Sequence, residues 1–179
     1  MEFNESNTYK NLQSAFLGKL VLSSKYQIYG TKARVDGYEQ IGNVFDIIAR
    51  NERQHAIIWL RMFNNGKLPS TIDNLLDASK SENNMGTAIY QEYARVAKEE
   101  AYDDIASLFN GIGNIDSSHE LRFRNFSDNI QNNEVFCKQE YTLWVCTVCG
   151  NIMGGECAPN ICPICGYPQG YYQLYNESI

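Results

Sequence analysis

Two closely spaced cysteine pairs lie in the last third of the chain and indicate a metal-stabilised fold there. Each pair has the spacing Cys-x-x-Cys, and twelve residues separate the pairs; the four residues are Cys146, Cys149, Cys162 and Cys165. Two turns of this kind can direct four sulfur atoms at one tetrahedral metal ion. We therefore predict that the four cysteines bind one metal, and the spacing leaves open whether it is redox-active iron or structural zinc. Four buried or disulfide-bonded cysteines are the alternative.

The length of the chain and the position of its cysteines predict two domains. A chain of 179 residues can hold a medium-sized domain and a small domain stabilised by metal. All six cysteines lie after residue 136, so the first two thirds must fold around an apolar core without thiols. We interpret Cys137 and Cys157, which lie outside the pairs, as ordinary small residues, and a redox role for them is the minor alternative.

Charge and hydropathy exclude two classes of partner. The net charge is −6 at pH 7 and no basic stripe is present to neutralise phosphates, so we expect no nucleic-acid partner. No apolar run approaches the roughly 18 residues that a membrane-spanning helix needs, so we expect no membrane partner. Residues 1–5 are acidic and polar, unlike a signal peptide. We expect a cytoplasmic protein, in a reducing compartment where thiols bind metals.

The first 135 residues are organised by an internal repeat. Residues 37–45 and 101–109 are copies of one pattern, 64 residues apart, and the copies end at His55 and His119. Their apolar residues follow helical spacing; they are Ile41, Val44, Phe45 and Ile48, then Ile105, Leu108, Phe109 and Ile112. Two more helical stretches precede the copies, at about 8–33 and 81–100. The pattern predicts an all-α four-helix ferritin-like bundle over residues 1–135, with a long crossover between the second and third helices.

A small metal-bound β domain is predicted around the cysteine pairs. We place it at residues 141–179, after a linker near residues 131–139. Its aromatic residues are expected to supply much of its limited core; they are Tyr141, Trp144, Tyr167, Tyr171 and Tyr172.

The predicted bundle also carries candidate metal ligands. Glu52 and His55 are three residues apart, as are Asp116 and His119, so each carboxylate shares a helix face with an imidazole. These are the only two histidines in the chain, and they occupy equivalent positions of the repeat. A carboxylate-x-x-His pair on each of two helices is typical of di-metal sites in ferritin-like bundles. Solvated ion pairs or capped histidines are the alternative.

The chain resembles the rubrerythrin family over nearly its whole length. The residues that carry the resemblance are Ala-Phe-Leu-Gly at 15–18, Gly-Tyr-Glu-Gln-Ile at 37–41, Glu52-x-x-His55, residues 119–123, and the paired cysteines with Ala158-Pro159 and Cys162-Pro163. The resemblance implies a di-iron bundle joined to a rubredoxin-like Fe(Cys)4 domain. It also implies reduction of hydrogen peroxide, with electrons passing from the rubredoxin-like iron to the di-iron site. Finally, it implies a head-to-tail homodimer and an electron-donor reductase as partners.

Two positions depart from the pattern that the resemblance implies. Lys19 and Met85 stand where the family has carboxylate ligands of one iron, and Asp116 stands where glutamate is usual. The ligand set that the resemblance leaves for the bundle is therefore partial: Glu52, His55, Glu82, Asp116 and His119.

The lysine at the first altered position suggests how the bundle tolerates the loss. We hypothesise that Lys19 lies within reach of Glu52 or Asp116 and replaces one iron electrostatically, while Met85 fills space. At most one further metal would then be bound, by Glu52, Glu82, Asp116 and His119. In the alternative, Lys19 extends to solvent and the polar residues form a core without metal.

Two classes of function follow from these patterns. The first is a rubrerythrin-like redox protein that transfers electrons through an Fe(Cys)4 centre, in which a normal peroxide-reducing di-iron site is not expected. The second is a non-catalytic structural or metal-binding protein with zinc or iron in the cysteine site. Whether the chain is an oxidoreductase or a non-catalytic protein stays open at the level of sequence.

Overall fold

Helices make up most of the first 131 residues in the computed structural model, which describes residues 2–175. The α-helices are α1 (Asn7–Val35), α2 (Glu39–Phe63), α3 (Thr71–Asn84), α4 (Tyr90–Glu99) and α5 (Asp103–Gln131). A π-helical turn, Met85–Ile89, joins α3 to α4 without a break, so four long helical segments result. Among the described residues, no helix combines the length and apolarity that crossing a bilayer requires.

A small antiparallel sheet follows the helices. Its strands are β1 (Cys137–Cys146), β2 (Ile152–Cys157) and β3 (Tyr172–Leu174), and β1 lies in the centre. Strand β1 begins inside the segment that the sequence predicts as a linker. The contacts divide the chain into two compact units, residues 1–69 with α1 and α2, and residues 70–179 with the remaining helices and the sheet.

The two helical hairpins repeat the same turn. Gly37 and Ala101, the equivalent positions of the repeat, both have positive φ, at 85° and 63°. In each turn, the N–H of the residue after the positive-φ residue donates a hydrogen bond to the carbonyl of the residue four positions before the positive-φ residue. The donor–acceptor distance is 2.8 Å in both hairpins. The left-handed residue ends one helix and lets the next begin. The repeat found in the sequence is therefore present in the backbone of both hairpins.

Small residues bring the helices of each hairpin together. A Cβ added to Gly30 would lie 3.2 Å from the carbonyl oxygen of Gly42 in the first hairpin, and one added to Gly86 would lie 2.7 Å from that of Gly113 in the second. Not every large apolar residue of the repeat belongs to these contacts; Leu108, for example, is 64% exposed. The helices of a hairpin can approach this closely because glycine and alanine occupy their interface.

The third helical segment begins earlier than the sequence predicts. We expect it near residue 81, but α3 begins at Thr71, so the long crossover is wrong and residues 64–70 make the connection. Ser70 explains the difference, because its hydroxyl oxygen accepts the backbone N–H of Asp73 at 3.2 Å and caps the helix.

The core of the small sheet is narrower than predicted. Trp144 and Tyr172 are buried, at 0% and 4% exposed. The indole N–H of Trp144 donates to the carbonyl of Gly155 at 3.1 Å. The prediction is wrong for Tyr141, Tyr167 and Tyr171, which are exposed. Tyr141 and Trp144 are three residues apart in β1 and so face opposite sides of the sheet, whereas Tyr167 and Tyr171 precede β3 and lie outside the strands.

Candidate metal centres

The four paired cysteines lie on two equivalent turns. The N–H of Gly150 donates to the carbonyl of Cys146, and the N–H of Gly166 donates to that of Cys162, at 2.9 Å in both turns. Both glycines have positive φ, 76° and 74°, a conformation that side chains disfavour. Glycine therefore closes each turn behind its second cysteine, and the sulfur atoms of the turn face the same point.

The spacing of the sulfur atoms fits one tetrahedral ion. The Sγ atoms of Cys146 and Cys165 are 3.7 Å apart, as are those of Cys149 and Cys162. All four lie within 4.8 Å of one another. A tetrahedral ion with metal–sulfur bonds of about 2.3 Å requires edges of about 3.8 Å. The residues present therefore fit a metal, and the predicted ligand set is brought together.

Hydrogen bonds, burial and neighbouring thiols give Cys162 and Cys165 different pKa values. The Tyr172 hydroxyl, assisted by the backbone N–H groups of Ile164 and Cys165, lowers the pKa of Cys162 to about 6. The backbone N–H of Tyr167 favours the Cys165 thiolate, but burial and the neighbouring thiols raise the pKa of Cys165 to about 12. Four thiolates this close repel one another unless a cation compensates their charge, so metal binding must release protons from the site.

Tyr172 has a role that residue patterns did not indicate. It lies in β3 directly opposite Cys146 and is buried. The side-chain amide of Asn151 donates to its hydroxyl oxygen at 3.4 Å, which leaves the hydroxyl proton free to donate to sulfur. The sequence predicts a core aromatic at this position, whereas the register of β1 and β3 makes the hydroxyl part of the cysteine site.

A second group of candidate ligands lies in the second hairpin. Glu82 of α3 and Asp116 and His119 of α5 place one ligand atom each within 4.8 Å of one another. Nδ1 of His119 is 3.5 Å from a carboxylate oxygen of Glu82. Met85 follows Glu82 by one turn, is half-buried, and begins the π-helical turn. Three of the five predicted bundle ligands are thus together, and a thioether occupies the adjoining helix position.

The first hairpin holds the other two predicted ligands beside a lysine. Lys19 Nζ lies 2.6 Å from Glu52, and Nδ1 of His55 lies 3.7 Å from the same oxygen. The contact with Lys19 lowers the pKa of Glu52, although burial acts in the opposite direction. Glu52 and His55 do not belong to the three-ligand group among residues 2–175. The contact between Lys19 and Glu52 is one of the two that the sequence hypothesis names.

The remaining two cysteines do not behave as the sequence predicts. Cys137 and Cys157 form a disulfide, so their interpretation as ordinary small residues is wrong. They lie opposite each other in β1 and β2. Their separation of 20 residues matches no short cysteine motif, so only the strand register could have indicated the pairing.

Comparison with known proteins identifies the family. A family model described as "Rubrerythrin" matches residues 10–127 and 73–143, and one described as "Rubrerythrin, rubredoxin-like domain" matches residues 144–173. The chain belongs to the rubrerythrin family. Rubrerythrin-1 of Clostridium acetobutylicum is 34% identical over 97% of this chain and 96% of its own length. Rubrerythrin of Nitratidesulfovibrio vulgaris is 33% identical over 94% of both chains.

Membership of the rubrerythrin family confirms the predicted fold class, a four-helix ferritin-like bundle followed by a rubredoxin-like β domain. A solved structure of nigerythrin in a mixed-valence state is 25% identical, covers 95% of this chain and 87% of its own, and aligns with a TM-score of 0.37. Together with the cysteine site, membership of the rubrerythrin family indicates iron binding and a non-haem iron redox function.

Proposed function

We propose that the protein transfers single electrons through an Fe(Cys)4 centre. The observation that carries this proposal is the set of four sulfur atoms on two equivalent turns, at the spacing of one tetrahedral ion. Iron bound there would supply one-electron redox chemistry. The chain's own part is to bind the ion through four thiolates and to shield two of them, Cys146 and Cys162, from water. Cys149 is exposed and leaves one edge of the centre open to an electron donor or acceptor.

We also propose that the helices hold at most one further metal, bound among Glu82, Asp116 and His119. The pairing of Lys19 with Glu52 supports this, because an ammonium already neutralises that carboxylate. Peroxide cleavage is easiest when two metal ions each supply an electron and together hold both oxygens. With one metal, peroxide reduction at this site is proposed to be weak or lost.

The metal content of the purified protein tests both parts. Protein prepared without added metal is expected to contain one or two metal ions per chain, with one in the cysteine site. Three metals per chain would contradict the proposal for the helices. Ferric thiolate absorbs strongly in the visible and zinc does not, so absorbance identifies the metal of the cysteine site. Protein that stays colourless after anaerobic reconstitution with ferrous iron and subsequent oxidation in air would instead support the second candidate, a structural zinc protein.

Restoring the two carboxylates tests the role of the altered positions. The double variant Lys19→Glu, Met85→Glu is expected to bind two metals in the helices and to gain peroxide-dependent oxidation. Neither single variant should suffice, because each leaves that metal one ligand short. Lys10→Glu makes the same charge change at an exposed position of α1 and serves as the control. A double variant with unchanged metal content and activity would contradict the proposed role of Lys19.

The assembly and location are proposed from the family resemblance. We propose a head-to-tail homodimer that works in the cytoplasm with an electron-donor reductase. In such a dimer the rubredoxin-like domain of one chain lies near the bundle of the other and shortens the electron path. Sedimentation at micromolar concentration is expected to give a dimer, and a monomer would contradict this.

A further inference from the structure

The disulfide between Cys137 and Cys157 lies outside both candidate metal sites. Cys137 is the first residue of β1 and Cys157 is the last residue of β2. Cys157 is exposed, whereas Cys137 is half-buried. The other four cysteines of the chain are free thiols and form the candidate metal site. Cys137 and Cys157 are therefore the two cysteines left for thiol chemistry.

The backbone holds the two cysteines together independently of the disulfide. The N–H of Ala158 donates to the carbonyl of Phe136 at 2.8 Å, so the residues next to both cysteines are already joined. Ala158 is 3% exposed and packs in the core of the small sheet. The side chain of Gln169 donates to its carbonyl at 2.6 Å. Because these contacts do not involve sulfur, the two thiols stay adjacent when the bond is reduced.

The disulfide is also separate from the main ladder of the sheet. Cys137 pairs with Cys157, and the next pair along the two strands is Thr142 with Gly155. The β1–β2 pairing is therefore interrupted between these two pairs. The ladder beyond the interruption continues from Thr142 to Val145 and leads to the first cysteine turn. Opening the disulfide therefore leaves the pairing that positions the metal ligands in place.

We propose that Cys137 and Cys157 are a reversible dithiol–disulfide couple, a second redox site that exchanges two electrons with low-molecular-weight thiols and disulfides. In the oxidising direction, the thiolate of Cys157 attacks a small disulfide, forms a mixed disulfide and releases one small thiol. The thiolate of Cys137 then attacks the Cys157 sulfur, forms the internal disulfide and releases the second thiol. The protein dithiol loses two electrons and two protons, and the small disulfide becomes two thiols.

The different exposure of Cys157 and Cys137 assigns which thiol attacks first. An incoming small molecule reaches Cys157 because that residue is exposed, and Cys137 resolves the intermediate from its half-buried position. In a reducing compartment, disulfides are usually transient and take part in catalysis or redox sensing. The exchange steps use neither the cysteine-site metal nor a metal in the helices, so the couple can be tested independently of the function proposed above.

A redox titration of the metal-loaded full-length protein tests the couple. The protein is equilibrated anaerobically in glutathione buffers that range from reducing to oxidising, quenched with acid, alkylated and mapped by mass spectrometry. A single two-electron transition confined to Cys137 and Cys157 is expected. The proposal is overturned if the pair stays fully reduced or fully oxidised across the whole range, or if either residue pairs with a metal-ligating cysteine instead.

Two single variants test the order of attack. Cys137→Ser is expected to accumulate one glutathione on Cys157, and Cys157→Ser is expected to react with oxidised glutathione several-fold more slowly. Equal rates for the two variants would overturn the assigned roles. The visible absorbance of the iron-loaded cysteine site reports whether each variant is folded. The wild-type titration decides the proposal even if a variant does not fold.

Discussion

The two candidate metal sites differ in how many separate segments of the chain must supply their ligands. All four cysteines lie within residues 146–165, on two turns that glycine closes in the same way. The predicted bundle ligands come instead from α2, α3 and α5, and within the second unit the structure groups Glu82, Asp116 and His119. A site made of two short turns is complete once the turns form, whereas a site shared among helices can lose ligands one at a time.

The sites also differ in the charge that is present without metal. In the cysteine site, neighbouring thiols oppose ionisation of Cys165, and a cation is required to compensate four thiolates. In the first hairpin, the ammonium of Lys19 already stabilises the charged form of Glu52. The cysteine site therefore depends on metal for its charge balance, and Glu52 does not.

Loss of one cysteine ligand should have the largest effect. In the full chain, Cys162→Ser is expected to abolish metal binding at the cysteine site and to unfold the small sheet while the helices remain. Structural metal sites of this size contribute roughly 10–16 kcal/mol of apparent binding free energy to folding. In a Trp59→Phe background, near-UV circular dichroism of Trp144 reports the sheet. Cys157→Ser is the matched control and should keep its metal; an unchanged Trp144 signal in Cys162→Ser would contradict the dependence on metal.

Crowding the second hairpin should have the next largest effect. In Gly86→Ala the new Cβ meets the carbonyl oxygen of Gly113 at 2.7 Å and the Cβ of Asp116 at 3.3 Å. We expect a loss of about 1–3 kcal/mol in the free energy of unfolding, measured by denaturant titration, and weaker metal binding by the Glu82 group. Gly111→Ala, where a Cβ meets nothing within 4 Å, should instead stabilise by about 0.5–1 kcal/mol. Equal effects at both glycines would show that the helix contact is not tight.

Removal of the lysine should change the acid dependence of the first hairpin. The pKa of Glu52 lies below its ordinary value of 4.5, so its ion pair stabilises the fold above pH 4.5 and is lost as pH falls through the lowered pKa. In Lys19→Met, the pKa of Glu52 should rise above that of the wild type, because burial then acts without the ammonium. NMR titration of the Glu52 carboxyl measures this. Lys10→Met, the control, should leave the titration of Glu52 unchanged. If the pKa of Glu52 in Lys19→Met equals that of the wild type, the ion pair between Lys19 and Glu52 is contradicted.

The smallest effect is expected from one hydroxyl in the cysteine site. Tyr172→Phe removes the donor that contributes most to lowering the pKa of the Cys162 thiol, and the pKa should rise from about 6. Protons then compete with metal at higher pH, so acid release of the metal should begin at a higher pH. Absorbance during acidification measures the midpoint. Tyr171→Phe, at the exposed neighbour, should leave the midpoint unchanged; the same midpoint in Tyr172→Phe would contradict the role of the hydroxyl.

Short-range patterns in the sequence determined much of this protein. The two Cys-x-x-Cys turns, the repeated helices and the carboxylate-x-x-His pairs were all predicted, because residues within one turn or helix face are related by spacing alone. The start of α3 is a short-range feature too, because Ser70 caps the helix by accepting the N–H of Asp73 three residues later.

Tertiary structure decided the features that depend on pairing between distant segments. The register of β1 with β2 and β3 set Cys137 opposite Cys157 and brought the Tyr172 hydroxyl to the cysteine site. The packing of α1 on α2 selected Glu52 as the partner of Lys19, and that of α3 on α5 assembled the three-ligand group. A shift of one residue in a strand turns its side chains to the other face, and spacing along a single segment carries no information about that choice.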